Sequence, residues 1–189
     1  MNIHGKIVTL RAPELADVPK LHRWSNDPEL WSMLGGWHFP FSSRSTEDWV
    51  RSREDGNQTD HVFCIETPEE GMIGTANLVN IDWKNRTAFH GIMIGEENLR
   101  GKGYALDAVF AIMRYAFMEL GLNRLDSDII AYNQRSLKFY LEKCGWQREG
   151  VRRDWYHRNG QFHDRVLVGV THRDYLDILD QNQYWQDGT

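Results

Sequence analysis

The chain has 189 residues and a mass of 22.2 kDa, a length that favours one domain over two. Hydrophobic residues make up 41% of it and charged residues 26%, a composition that argues against a disordered or low-complexity chain. The net charge is −5 and there is no run rich in Lys and Arg, so general binding to a nucleic-acid backbone is not expected.

Apolar periodicity and turn residues predict the elements of the chain. The first part of the chain is predicted to hold a strand at 6–11, a helix at 14–26, an aromatic-rich loop at 30–41 and a helix that starts at Ser45, where Asp48 completes an imperfect capping box. Strands at 61–66, 72–82 and 86–94 follow, and then a helix that ends before Gly121. The last elements are a strand at 124–131, a helix at 136–143 before Gly145, and strands at 146–153 and 162–170. The three central strands read as an antiparallel meander.

About seven strands and four helices in this order predict a mixed α+β fold with a mostly antiparallel sheet. We expect a single domain over residues 1–189, with its core at about 6–170 and a C-terminal tail at 171–189. The tail predicts a short docking helix that frays after Gln181.

A glycine-containing turn lies between the strand that ends at Ile94 and the helix that follows it. The segment Arg100–Ala105 places Gly101 and Gly103 directly before that helix. Glycines let successive backbone N–H groups point at one spot, and the helix N-terminus adds positive potential, so the turn suits a pyrophosphate. The alternatives are a plain connecting turn and a site for another phosphate ligand.

Several motifs together resemble one enzyme family. Arg100-x-x-Gly103-x-Ala105 matches the R/Q-x-x-G-x-G/A signature of the GNAT superfamily of acyl-CoA-dependent N-acetyltransferases. Asn133-x-x-Ser136, leading to Phe139-Tyr140 and then Gly145-Trp146, is similar to the family in order and spacing. The order is most similar to the branch with ribosomal-protein, polyamine and amino-sugar acetyltransferases, and it implies a GNAT-like sheet that is splayed at the acyl-CoA site.

The resemblance implies a site for acetyl-CoA as co-substrate and no metal. The pyrophosphate would meet the loop, the pantetheine arm would lie along the strand edge before it, and a polar side chain after the next strand would contact that arm. The corresponding residues are Arg100, Gly101, Lys102, Gly103, Tyr104 and Ala105 for the loop, Ile92, Met93 and Ile94 for the strand edge, Asn133 for the arm, and Lys138, beside Arg135, for the phosphates. A turn-forming role for Asn133 and a solvated helix face for Lys138 remain alternatives.

Two residues are candidates for proton transfer. Tyr140 matches the family's general acid, which protonates the leaving thiolate, although it shares a helical face with core residues. His90 lies on the strand that leads to the acyl-CoA site and titrates in the range of a base for the amine, with a structural strand histidine as the alternative. Glu66 and Glu96 are weaker candidates for the base, and water is another.

The acceptor pocket of the family is built from the first helices and their loop, where Trp31 and Trp37 are candidate substrate contacts. Residues 1–95 carry a net charge of −4, and the acidic residues Glu29, Glu47 and Asp48 lie near these tryptophans. Cation–π contact would favour a small cationic amine such as a polyamine, an amino sugar or an antibiotic. A protein N-terminus as acceptor and a non-catalytic acyl-CoA-binding module are the alternatives.

Two further observations bear on compartment and partners. Cys64 and Cys144 have no C-x-x-C spacing, so no disulfide framework or zinc site is expected. A signal-peptide pattern and a run of about 20 apolar residues, the length of a membrane span, are both missing from the sequence. We expect a cytoplasmic enzyme with a small-molecule amine as its partner, without nucleic acid or membrane, and a homodimer is left open.

Overall fold

The structure is a computed structural model that describes residues 1–36, 39–53 and 58–186. Its strands are β1 (Ile3–His4), β2 (Thr9–Arg11), β3 (His61–Thr67), β4 (Gly71–Asp82), β5 (Thr87–Ile94), β6 (Arg124–Ile130), β7 (Gln147–Arg158) and β8 (Gln161–Thr171). Its helices are α1 (Val18–Ser25), α2 (Pro28–Ser32), α3 (Ser43–Arg51), α4 (Tyr104–Arg114), α5 (Gln134–Lys138) and α6 (His172–Asn182). A π-helical turn at Tyr115–Glu119 extends α4, and a second π-helical turn at Phe139–Lys143 extends α5.

The eight described strands form one sheet in the order β1-β2-β3-β4-β5-β6-β8-β7. Neighbours are antiparallel except β5 and β6, which run parallel because α4 crosses between them. The mixed, mostly antiparallel α+β fold predicted from the sequence is thereby confirmed. The strand count is one higher than expected, because Ile3–His4 forms a short edge strand against β2.

Helices cover the two faces of this sheet unequally. One face packs against α4, α5 and α6, in a large core that includes Phe110, Ile112 and Tyr175, all buried. The opposite face packs against α1, α2 and α3 through a smaller cluster that includes Trp24 and Val50. Because strand residues alternate between faces, β3, β4 and β5 contribute to both layers.

Local signals for helix ends are partly confirmed. Gly121 and Gly145 have φ angles of 66° and 74°, the left-handed conformation expected after a helix. The expected cap at Ser45 is wrong: Ser42 is the N-cap of α3, and its hydroxyl accepts the N–H of Ser45 at 3.0 Å. Helix α3 therefore starts two residues before the predicted position.

Both ends of the chain are tied to the first turn of α4. The carboxylate of Asp107, which is 1% exposed, accepts the backbone N–H groups of Lys6, Ile7 and Val8 at 2.7–2.9 Å. Past α6, the ring of Tyr184 stacks on Phe110 with centroids 4.1 Å apart. The expected fraying after Gln181 is therefore wrong, because the aromatic residues of the tail are packed.

Candidate active site

The sheet opens between β5 and β6. Their pairing covers only Thr87–Phe89 against Arg124–Asp126. Beyond it, β5 stays paired with β4 as far as Ile94, and β6 stays paired with β8 as far as Ile130. The two halves of the sheet therefore diverge and leave a gap along residues 90–94 of β5, which is the splay that the family resemblance implied.

The edge of β5 in this gap carries free backbone donors. The N–H of Gly91 points toward β4, where it donates to Oδ1 of Asn77 at 2.8 Å, and the N–H of Gly95 donates to the oxygen of Ile73 on the same side. Because N–H groups alternate along a strand, those of Ile92 and Ile94 point into the gap. Two of the three predicted edge residues thus offer donors there, whereas the N–H of Met93 points toward β4.

The glycine loop lies at the end of β5. Gly101 and Gly103 have φ angles of 83° and 89°, and Gly103 is the N-cap of α4. A side chain at Gly101 would meet nothing within 4 Å, so space is open beside the loop. Nε of Arg100 donates to the oxygen of Ile94 at 3.2 Å and ties the loop to the strand edge. An anion fits this arrangement, since α4 is long enough to present free N–H groups and a positive dipole end.

A cavity of about 600 Å³ opens onto the gap. Aromatic side chains form much of its wall, and α1, α3, β5 and β7 all contribute to it. They are Trp24, Trp31, Phe41, Trp49, Phe89, Tyr140, Trp155 and Tyr156. Of the sequence-predicted site residues, Trp31, Ile92, Met93, Asn133 and Tyr140 line this cavity, whereas the loop Arg100–Ala105, Ile94, Lys138 and His90 do not.

Tyr140 lies where the core face of the sheet meets the gap. It is 4% exposed, and its ring packs edge-on against Trp146 with centroids 4.9 Å apart. Burial raises the pKa of the Tyr140 hydroxyl far above its ordinary value, and a hydrogen bond with Ser127 opposes that rise only in part. The hydroxyl therefore stays protonated and can act as a proton donor into the cavity.

His90 is placed on the wrong face of β5 for a base. Phe89 and Gly91 line the cavity, but the His90 ring points into the core beside Tyr140 and Trp146 and is completely buried. Its Nδ1 donates to the oxygen of Asn77 at 2.9 Å. Burial lowers the pKa of His90 to about 4. A sealed, weakly basic ring has no route to an amine in the cavity, so the position supports the structural alternative.

Asn133 has a capping role as well as a place at the gap. Its Oδ1 accepts the N–H of Ser136 at 3.1 Å as the N-cap of α5, which is the turn-type role that the sequence left open. Its Nδ2 donates to the oxygen of Met33 at 3.1 Å. Lys138 is exposed on α5 and does not line the cavity.

Met33 belongs to a loop that crosses from α2 toward β6. Three side chains from the far side of the gap bind successive carbonyls of this segment, which we call the acceptor loop (Ser32–Gly36). The Tyr132 hydroxyl donates to Ser32, Nδ2 of Asn133 donates to Met33, and Nη2 of Arg158 donates to Leu34 at 3.2 Å. These bonds fix one wall of the cavity.

Three cavity residues that hydrogen-bond to one another, Asp128, Tyr156 and Arg165, were not among the sequence-based candidates. Asp128, on β6, accepts hydrogen bonds from the Tyr156 hydroxyl and from Arg165, which lie on β7 and β8. Burial and the bond to Asp128 raise the pKa of Tyr156 far above its ordinary value, so its proton stays on the hydroxyl. A buried acidic residue in a strand that ends at the gap was the available signal, but its partners come from strands far along the chain.

The acidic residues expected near the tryptophans do not reach the cavity. Glu47 pairs with Arg51 and Asp48 with Arg44 along α3, and Glu29 is exposed. Trp31 lines the cavity and stacks on Phe41 with centroids 6.5 Å apart. The other predicted substrate contact, Trp37, lies outside the described residues.

The residues that the structure describes contain neither a metal-ligand cluster nor a membrane-spanning helix. In residues 1–36, 39–53 and 58–186, no three His, Cys, Asp or Glu side chains group to hold a metal ion. None of the helices in that part of the chain has the length and apolar character needed to cross a membrane.

Comparison with known proteins agrees with this geometry. Residues 8–147 match the family model described as an acetyltransferase (GNAT) domain. The uncharacterized N-acetyltransferase p20 of Bacillus licheniformis is 30% identical over 92% of this chain and 97% of its own length. The putative ribosomal N-acetyltransferase YdaF of Bacillus subtilis is 34% identical over 68% of this chain and 67% of its own.

Among solved structures, the spermidine N-acetyltransferase of Vibrio cholerae in complex with CoA and spermine superposes with a TM-score of 0.80. It is 25% identical, and the match covers 89% of this chain and 98% of that one. The family resemblance drawn from the sequence motifs is thus confirmed. With its splayed sheet, its glycine loop and a matching family model over most of its length, the chain belongs to the GNAT family of N-acetyltransferases.

Proposed function

We propose that the protein transfers the acetyl group of acetyl-CoA to the primary amine of a small molecule, by direct attack of the amine on the thioester while both substrates are bound. One observation carries the proposal: the gap between β5 and β6 connects the glycine loop, which is tied to Ile94, with an aromatic cavity of about 600 Å³. A thioester lying in that gap would be within reach of an amine in the cavity.

The loop side of the gap suits the acyl-CoA. Backbone N–H groups of Arg100–Ala105 at the start of α4 bind the pyrophosphate, and Lys138, exposed on α5, adds a positive charge for the phosphates. The free N–H groups of Ile92 and Ile94 hold the pantetheine arm and the thioester carbonyl. Donors fixed in a strand stabilise negative charge on that oxygen without rearranging. Contact between Asn133 and the arm stays a prediction.

The chemical step needs an acid and a deprotonated amine. Acetyl-CoA supplies an activated acyl group with a thiolate leaving group. Burial keeps the proton on the Tyr140 hydroxyl and also makes a thiolate in the gap a stronger base than it is in water, so Tyr140 donates its proton to that sulfur as the C–S bond breaks. The attacking ammonium loses one proton to water in the open cavity, and the second proton that its nitrogen releases after the N–C bond forms returns the Tyr140 phenolate to its hydroxyl form. His90 has no part in this scheme, since its ring is sealed in the core.

Thiol release measured on a panel of amines tests the proposal. The panel contains aryl-alkyl monoamines, amino sugars, polyamines and short peptides with free N-termini, and calorimetric titration with CoA, acetyl-CoA and a nucleotide runs beside it. We expect acetyl-CoA to bind and at least one small amine to be acetylated faster than every peptide. Faster acetylation of peptides than of small amines would indicate that the acceptor is a protein N-terminus. Binding of acetyl-CoA without acetylation of any amine would indicate a non-catalytic acyl-CoA-binding module.

A further inference from the structure

We infer that the acceptor carries a single amine on an uncharged, aromatic or apolar body, and that the Asp128–Arg165 pair excludes polycations from the cavity. The inference rests on the proposed function, because it names the substrate class of the same site. It departs from the solved relative that binds spermine, a polyamine.

Charge at the described cavity wall comes from one ion pair. Asp128 and Arg165 are the ionised side chains among the described lining residues. One carboxylate oxygen of Asp128 accepts the Tyr156 hydroxyl and the other accepts Nη2 of Arg165. The side chain of Asp128 is 7% exposed and that of Arg165 is 21% exposed. The carboxylate is therefore neutralised by a neighbour that belongs to the wall, and the pair contributes no net charge.

Because the pair is neutral, the described cavity wall offers no net negative charge to balance the additional ammonium groups of a polycation. Moving an ammonium group out of water is costly unless an opposite charge or several acceptors receive it. The single amine that reacts gives up its proton before attack, and aromatic faces can hold it until then. The second and third ammonium groups of a polyamine keep their charge, and Arg165 repels them from the one carboxylate at the described wall.

The aromatic wall offers binding energy to a different kind of ligand. The centroid of the Trp155 ring lies 4.9 Å from the Arg165 guanidinium and 5.0 Å from the guanidinium of Arg152, and these cation–π contacts hold the indole in place. Trp31 and Phe41, which also line the cavity, stack on each other and add further aromatic surface. Stacking between such rings rewards an aromatic or apolar body, because it buries area and adds favourable ring contacts. A monoamine with one ring and a short linker matches both the charge and the shape of this wall.

A charge series at the pair tests the inference. Arg165→Met keeps the aliphatic stem against Trp155 and exposes the carboxylate, so the wall becomes negative. Asp128→Asn leaves Arg165 without its partner, so the wall becomes positive. Arg124→Met is the matched control, because it removes an arginine paired with Asp126 on β6 and lies outside the cavity lining. The readout is the ratio of kcat/KM for 2-phenylethylamine to kcat/KM for spermidine.

We expect the wild type to prefer 2-phenylethylamine by about tenfold or more, a ratio that reflects one uncompensated charge. Arg165→Met should move the ratio toward spermidine by about tenfold, Asp128→Asn should move it the other way, and Arg124→Met should leave it unchanged. A wild type that prefers spermidine overturns the inference. A ratio that moves equally in Arg165→Met and Arg124→Met also overturns it.

A binding measurement separates this inference from the proposed function. Trp31 and Trp155 line the cavity, so quenching of tryptophan fluorescence by each amine reports binding without turnover. If the wild type acetylates no amine of the panel, the proposed function fails, yet tighter binding of 2-phenylethylamine than of spermidine still supports the neutral wall. Tighter binding of spermidine overturns it. If Arg165→Met does not fold, the Asp128→Asn shift and the wild-type binding preference decide the outcome.

Discussion

The hydroxyl of Tyr184 donates a 2.7 Å hydrogen bond to Asp107, whose carboxylate also holds the backbone of residues 6–8. The two ends of the chain therefore meet on one carboxylate in the first turn of α4. This turn directly follows the glycine loop, so the bonds hold the loop and its helix against β2 and the tail. A network with four donors on one charged acceptor fixes its elements more firmly than separate contacts would.

Asp107→Asn should destabilise the fold, because the amide group would place N–H donors against the backbone donors of Ile7 and Val8. Losing hydrogen bonds to a buried charged group costs about 1.5–3 kcal/mol, and we expect a loss in that range in urea unfolding. The affinity for acetyl-CoA should also fall, since the helix start loses its anchor. Tyr184→Phe, which removes one donor only, should cost less. Equal stability of wild type and Asp107→Asn would contradict the anchoring role.

Gly103→Glu should abolish binding of acetyl-CoA in a folded protein. The φ angle of 89° strains any side chain there, and the carboxylate would repel the pyrophosphate at the helix start. Gly160→Glu is the matched control, since Gly160 has a φ of 77° in the turn between β7 and β8 and open space around it. Calorimetric titration should show normal affinity in the control. An equal loss of affinity for acetyl-CoA in both variants would indicate backbone strain as the cause and would contradict a pyrophosphate site at the glycine loop.

Tyr140→Phe should lower kcat by about 10²–10⁴-fold and leave the KM for acetyl-CoA nearly unchanged, because only protonation of the leaving thiolate is lost. Tyr175→Phe serves as control: Tyr175 is also fully buried, but its hydroxyl accepts from Trp185, away from the gap. Steady-state kinetics with saturating amine give both constants. A loss of only two- or threefold in Tyr140→Phe would return this residue to a packing role.

His90 should contribute to the pH dependence of folding stability, and it should not contribute to the pH dependence of catalysis. Its pKa is about 4 in the folded protein and 6.5 when exposed, so the unfolded chain binds a proton first as the pH falls. Stability should decrease between pH 6.5 and 4 by about 3 kcal/mol from this group, and no further below pH 4. Urea unfolding of His90→Gln should lack this part of the decrease.

His4→Gln, at an exposed histidine outside the core, is the control for the replacement of a histidine by glutamine. The rate profile is the second measurement. A rate deficit in His90→Gln that disappears at high pH would show that this ring is the base after all, against its buried position.

Trp31→Ala should raise the KM for the acceptor by about two- to thirtyfold, the range of a cation–π or stacking contact, and spare the KM for acetyl-CoA. Trp31 lines the cavity, whereas Trp83 is 45% exposed in the turn between β4 and β5. Trp83→Ala should leave both constants unchanged. A change confined to the KM for acetyl-CoA would remove Trp31 from the acceptor pocket.

Features that depend on neighbouring residues were predictable from the sequence. The glycines at 121 and 145 end helices, and the meander of β3, β4 and β5 has strands within one residue of the expected bounds. The reason is that alternation, helical spacing and left-handed glycines are encoded within a few positions. The loop at Gly103 could likewise be found from its glycines and the helix that follows.

Features that depend on the face of a strand or on distant pairing were not predictable. His90 and Gly91 differ by one position, yet alternation places one in the core and the other at the cavity. Asp128 meets Tyr156 and Arg165 only because β8 pairs with both β6 and β7. Glu47 and Asp48 suggested a charged pocket, but their arginine partners lie on the same helix.

The acceptor loop (Ser32–Gly36) belongs in sequence to the α2–α3 segment, yet Tyr132 and Arg158 attach it to the other half of the sheet. One wall of the cavity is therefore attached to the half of the sheet that contains β5, and another wall is attached to the half that contains β6. Its width follows the separation of β5 and β6, so anything that spreads or draws together the two strands reshapes the cavity as well. A loop transplanted from a relative without these two anchors would carry over its residues but not their position.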